Sequence, residues 1–167
     1  ETNGINAMLS ELITRGTQKR GARELAHRIE SMAASFSGVS GRNTFGAAMS
    51  GLSKFFVPSM ELFAECLFEA TIPPEEFEQV CRLQLQEVRS RREKLGARNF
   101  DCFSRAFFGD YPYGMPIQGT PESLQGLTPE RLREYLRALA RPERMVVSIV
   151  GDVQVEQAAA LVERLFD

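Results

Sequence analysis

The sequence predicts an α+β fold, a mostly antiparallel β-sheet with helices packed mainly on one face. Three observations lead there. Apolar residues recur at helical spacing in about seven segments of the chain. Between two of these, the Ser- and Gly-rich stretch SFSGVSGRNTFGAAMSGLS loses that period and reads as a pair of strands. Near the C-terminal end, RMVVSIVGD is apolar enough for a central strand.

The first helix is expected over residues 3–14, with Ile5, Met8, Leu9, Leu12 and Ile13 as its buried stripe and Gly16-Thr17 as its stop. A second, over 22–32, sets Leu25, Ile29 and Met32 on one face. The two strands are placed at 34–40 and 44–52 around a turn at GRN. Their small residues suggest close approach by another backbone or side chain. A third helix starts near Pro58 and carries Leu62, Phe63, Cys66 and Leu67 inward. ATIPPEE breaks it, and Pro-Glu-Glu opens a long helix over 74–94. Its acidic start and its RSRREK end match the helix dipole.

The next helix, over 97–108, has Phe100, Phe103 and Phe107 at helical spacing. GDYPYGMPIQGTPE is a loop dense in Gly and Pro, and ESLQGL a short helical turn. Thr128-Pro129-Glu130 is an N-cap pattern that opens a helix ending near residue 140. After RMVVSIVGD a last helix runs from Val155 to Phe166. Three strands are too little sheet to cover so many apolar stripes. The sheet is therefore expected to be completed by strands outside this sequence or on another chain.

At 167 residues the chain fits one domain, or a large piece of one, and can build a core without disulfide or metal. Hydrophobic residues at 43% and charged residues at 25% are globular proportions and argue against disorder. A net charge of −2 gives no electrostatic reason for a nucleic-acid or anionic-membrane partner. No apolar run approaches the roughly 20 residues that span a bilayer. The opening ETNG carries neither a basic nor an apolar leader region, so no signal peptide is expected there. Cys66, Cys81 and Cys102 form no CxxC pair and are expected to be buried free thiols, which fits a reducing compartment.

His27 is the only histidine and falls on the polar side of the second helix, which leaves no Ser-His-Asp or Cys-His arrangement in cis. RSRREK lacks aromatic interleaving and reads as a solvated helix end. No Gly-rich loop follows a strand in the phosphate-binding pattern.

Five stretches in order, covering nearly the whole chain, carry a family likeness: ELITRGT, ELAHRIESMAASFSGVSGRNTFG, ELFAECLFEATIPPEEFEQVCRLQLQEVRS, FFGDYPYGMPIQGTPESLQGLTPERLREYL and RMVVSIVGDV. The order resembles the zinc peptidase family M16 of pitrilysin, insulysin and the mitochondrial processing peptidase. The resemblance implies a single M16-like domain over 1–167, a fragment of a larger multi-domain homologue that lacks the strands normally ahead of the first helix. Active members carry H-x-x-E-H on that helix, where positions i, i+3 and i+4 share one face and aim two imidazoles and a general base at one Zn²⁺. A second Glu on the later long helix completes the ligand set.

Anchored on RGT, the two histidine positions fall on Ala7 and Glu11, and the base position on Ser10. Ala has no ligand atom, and a serine hydroxyl without a partner is too weak a base. The distal position falls on Glu87, the right residue type, which is not expected to bind a metal alone. No catalytic residue and no metal site is therefore expected in this chain, and zinc only in a partner half. Arg15 and Arg91 stand four residues beyond Glu11 and Glu87, the orientation that favours i, i+4 ion pairs. These arginines are expected to fill part of the vacant metal space.

The family's assemblies resemble a clamshell of two halves, one carrying zinc and the other helping to enclose the peptide. The leading expectation is a non-catalytic domain that partners an H-x-x-E-H half, in cis or in trans, around a peptide substrate. Tyr111 and Tyr113 of the GDYPYG loop are then candidates for peptide contact. Neither nucleic acid nor membrane is expected as a partner, and an exposed sheet edge in the isolated domain would favour self-association. A second expectation is a structural or assembly module, as in respiratory-complex core subunits that resemble the family. A third is a hydrolase using Glu11 and Glu87 with another metal; two carboxylates suit hard cations, which take more oxygen ligands than this.

Overall fold

The computed structural model describes residues 3–166. Glu1, Thr2 and Asp167 lie outside the described residues, so the leader reading at ETNG is only half covered. Eight α-helices and one β-hairpin follow in order among the described residues: α1 (Ile5–Leu12), α2 (Ala22–Ser31), β1 (Ser35–Ser40), β2 (Phe45–Ser50), α3 (Phe56–Phe68), α4 (Pro74–Glu93), α5 (Leu95–Phe108), α6 (Pro121–Gln125), α7 (Pro129–Leu139) and α8 (Val155–Phe166).

α1 is the centre of the molecule. Ile5, Met8, Leu9 and Leu12 are essentially inaccessible, and they pack with Val80 and Val88 of α4 and Leu132 and Leu136 of α7. A second core joins Leu25 of α2, Leu62, Cys66 and Leu67 of α3, and Phe166 of α8. Burying side chains of this kind contributes about 1.5–3 kcal/mol each, which makes α1 a structural element whatever its polar positions carry.

The hairpin pairs antiparallel in a register running from Ser35 opposite Ser50 to Ser40 opposite Phe45. Phe36, Phe45, Ala47 and Met49 pack against the second core, while Ser35, Ser37, Val39 and Ser50 look outward. Beyond the loop after α1, the Glu65 carboxylate of α3 is buried and accepts the Thr17 hydroxyl at 2.6 Å and the Arg20 guanidinium. This ties the turn at 16–21 to α3, because a buried carboxylate is costly unless its lone pairs are filled.

Three expectations need correction. The fold is predominantly helical, with a two-stranded hairpin in place of a mostly antiparallel sheet. RMVVSIVGD, expected as a central strand, has no ladder partner, and Val146 and Val150 are 96% and 95% exposed. An apolar run becomes a strand only where a second edge meets its N–H and C=O groups, and no edge among the described residues reaches it. The thiols also differ: Cys66 is buried, Cys81 half-buried and Cys102 exposed. Burial, reinforced by the Glu65 charge, pushes the Cys66 thiol up to about 12.

Candidate functional site

The positions singled out on the first helix lie where α1 meets the hairpin. Ala7 and Ser10 are half-buried and Glu11 is exposed. The Ser10 hydroxyl donates to the Ala7 carbonyl at 2.7 Å, back into its own helix. β1 runs flush against this point: a Cβ built on Gly38 would stand 2.3 Å from Ser10 Cα. Glycine at 38 is what permits that contact, since any larger residue would push strand and helix apart.

Glu87 is exposed on α4. One turn earlier, buried Gln84 faces the site's other end and donates to the carbonyls of Gly4 (3.1 Å) and Gln118 (2.8 Å). Gly4 needs its left-handed φ of 90°, and a Cβ there would meet Gln118 O at 2.8 Å. Gln84 thus fixes the entry to α1 and the loop before α6 together. The sequence reading missed it; a glutamine inside an apolar stripe, between Val80 and Val88, was the available signal.

Both arginines pair with other carboxylates. Arg15 pairs with Glu76 at 3.6 Å, and Arg91 forks onto Asp101 with Nε and Nη2 at 3.1 and 3.0 Å. No ion pair to Glu11 or Glu87 forms among the described residues. The expectation that Arg15 and Arg91 fill the metal space is corrected: carboxylates on neighbouring turns and helices sit closer than their i−4 partners. Hydrogen bonding to Asp101 holds the Arg91 guanidinium above its usual range, with the Asp101 and Glu87 charges adding to it.

Tyr111 and Tyr113 lie in the loop after α5, at 67% and 44% exposure. Arg42, at the hairpin turn, secures this loop. Its Nη1 donates to the carbonyls of Tyr113 (2.7 Å), Met115 and Pro112 (3.5 Å), and the guanidinium stands 6.0 Å from the Tyr113 ring centroid. From the other side, the Asn6 amide of α1 donates to Gly41 O (3.3 Å) and Thr44 O (3.4 Å) of the same turn. The degenerate helix, the hairpin turn and the tyrosine loop therefore form one connected surface. His27 is exposed and takes no part in it.

This donor set does not fit zinc. Ala7 offers no ligand atom, the Ser10 hydroxyl is committed to its own helix, and among the described residues no three His, Cys, Asp or Glu side chains converge as a metal would need.

Residues 1–121 match the model of the insulinase family, peptidase family M16, and residues 126–167 match that of the peptidase M16 inactive domain. The zinc protease YmxG of Bacillus subtilis is 24% identical over 92% of this chain and 37% of its own length. Cytochrome b-c1 complex subunit 1 of Bos taurus is 24% identical over 99% of this chain and 35% of its own. A crystal structure of a peptidase M16 inactive domain from Pseudomonas fluorescens superimposes with a TM-score of 0.91 at 19% identity, covering 99% of this chain and 41% of that one. The chain thus spans well under half the length of these relatives. No helix among the described residues is long and apolar enough to cross a membrane. With its first helix carrying Ala7, Ser10 and Glu11 inside this fold, the chain belongs to peptidase family M16, and that helix lacks the H-x-x-E-H metal-binding motif.

Proposed function

We propose that this chain is a single M16-like domain that partners a zinc-binding H-x-x-E-H half, on the same polypeptide or another, and helps enclose the peptide that the partner cleaves. The observation that carries this reading is the state of α1: its apolar stripe is core, its polar positions hold no imidazole, and Ser10 bonds only to its own helix. The fold is kept while the chemistry is gone, as expected of a half that shapes a chamber. Zinc belongs to the partner half, and Tyr111 and Tyr113, on the rim made by the hairpin turn, are the proposed peptide contacts. The test joins this chain to its H-x-x-E-H half and measures peptide cleavage. Cleavage by the joined halves that exceeds the catalytic half alone by tenfold or more supports the reading; equal rates refute it.

A second reading is favoured by the likeness to cytochrome b-c1 complex subunit 1 over 99% of the chain: an assembly module with no peptidase partner. The presence of an H-x-x-E-H sequence in the same reading frame or operon supports the first reading, and its absence the second.

A further inference from the structure

α5 is amphipathic in the reverse sense, with its polar side inward. Only Ser104 of this helix is buried, and on the same side the Asp101 carboxylate is taken by the Arg91 fork at 3.1 and 3.0 Å. The apolar residues point the other way. With about 3.6 residues per turn, Leu95, Cys102, Ala106, Phe103, Phe107 and Phe100 fall on one continuous arc, interrupted by Asn99, and all of them are exposed. The rings are packed on one another. Phe103 stacks on Phe107 at 5.7 Å, Phe107 meets Phe108 edge-on at 4.9 Å, and Phe108 reaches Tyr113 at 5.7 Å, in the loop that Arg42 secures.

A helix that turns its apolar face to solvent is short of a partner. The largest apolar patch on an ordinary monomer is about 300–600 Å², and the four exposed phenylalanines of α5 alone leave on the order of 500 Å² open. One edge of this arc is basic. Arg98 and Arg105 lie beside Leu95 and Cys102, and Lys94 stands just before the helix. None of these three cations forms an ion pair among the described residues. Asp101, the one acid within α5, is already committed to Arg91.

We propose that the outer face of α5 is a docking surface for an amphipathic helix of another polypeptide, apolar on its contact face and lined with Glu or Asp along one edge. Its apolar side chains cover the arc, and its carboxylates meet Lys94, Arg98 and Arg105. A second copy of this chain fits poorly, because it brings the same three cations and no free acid on α5. An anionic bilayer fits poorly too, because the chain carries a net charge of −2. Such docking needs no zinc half and is independent of cleavage.

The probe is a fluorescein-labelled peptide of about 18 residues, long enough to form a helix, with Leu and Phe on one face and Glu along its edges. It is compared with the same peptide carrying Lys for Glu, and with a scrambled peptide of equal composition. Anisotropy with residues 1–167 is expected to show the Glu peptide binding at least tenfold tighter than either control. Phe103→Ser with Phe107→Ser is expected to weaken that binding at least tenfold. Arg98→Glu with Arg105→Glu is expected to transfer the preference to the Lys peptide. The urea midpoints of both variants are expected to match the parent's, since the replaced side chains are exposed. Cys102, on the crown of the arc, is expected to react with a thiol reagent at least tenfold more slowly when the Glu peptide is bound. No binding, or equal binding of the three peptides, overturns the proposal, as does binding that neither pair of substitutions alters. Self-association of the chain that is lost in the Phe103→Ser, Phe107→Ser variant points to a second copy and overturns it. Binding of phosphatidylglycerol vesicles in preference to the Glu peptide points to a membrane and overturns it too.

Discussion

Arg42 at the tip of the hairpin donates to the Tyr113 carbonyl at 2.7 Å, across 71 residues of sequence. The same guanidinium also takes the Met115 carbonyl, so one side chain from the β1–β2 turn holds the loop that displays both exposed tyrosines. Hydrogen bonds from a charged donor contribute more than neutral ones, though solvent access reduces the gain here.

Removing that donor is expected to free the loop while leaving the core intact. Arg42→Ala lowers stability by about 1 kcal/mol and speeds amide exchange at Gly114 and Met115, with α1 and α7 unchanged. Arg42→Lys retains part of the protection, because a lysine offers the charge without the planar fork. Unaltered exchange at 114 and 115 in the alanine variant contradicts this role.

The contact of Gly38 with Ser10 predicts a second outcome. Gly38→Ala places a Cβ 2.3 Å from Ser10 Cα and 2.4 Å from its carbonyl oxygen, both rigid backbone atoms. Overpacking of this kind costs about 1–3 kcal/mol, read as a lower urea midpoint. Gly46→Ala, in the paired strand, meets only Val39 Cβ at an ordinary 3.8 Å and is expected to stay within about 0.5 kcal/mol of the parent. Equal midpoints for the two variants contradict the close approach.

Cys66 predicts a pH dependence. Its folded thiol is held near 12 by burial first and the Glu65 charge second, against an ordinary 9.0. Above pH 9 the unfolded chain therefore releases this proton while the folded chain keeps it, and stability falls as pH rises toward 12. The fall is at most about 1.4 kcal/mol per pH unit from this group. Cys66→Ala starts from lower stability and loses less between pH 9 and 11, in chemical denaturation at each pH. At pH 8, exposed Cys102 reacts readily with a thiol reagent in the folded protein, and Cys66 only on unfolding. A Cys66 that labels as fast as Cys102 contradicts its placement.

The helices were legible because each writes its buried face into a local period: Ile5, Met8, Leu9 and Leu12 are spaced for one side of one helix, and that side is buried. The hairpin was legible from its small residues, and the close approach they implied is the one between Gly38 and Ser10. RMVVSIVGD was misread as a sheet centre because a strand needs a partner edge, which no local pattern reports. The aromatic spacing of Phe100, Phe103 and Phe107 gave a helix face, but α5 buries Ser104 and leaves those rings 54%, 58% and 71% exposed. Arg42 and Gln84 act on carbonyl groups far along the chain, and backbone carbonyls leave no trace in residue identity. The ion pairs of Arg15 and Arg91 failed as expectations for a related reason: sequence spacing saw the partner four residues back, not Glu76 or Asp101 brought near by folding.

The central claim is that α1 has kept its packing and lost its zinc chemistry. Metal analysis of the purified chain after zinc exposure and desalting, paired with a peptide-cleavage assay on the same sample, tests it most directly. The account predicts zinc well below one ion per chain and no cleavage without a partner half. One tightly held zinc per chain, lost in Glu11→Gln or Glu87→Gln and accompanied by cleavage by this polypeptide unaided, would contradict it.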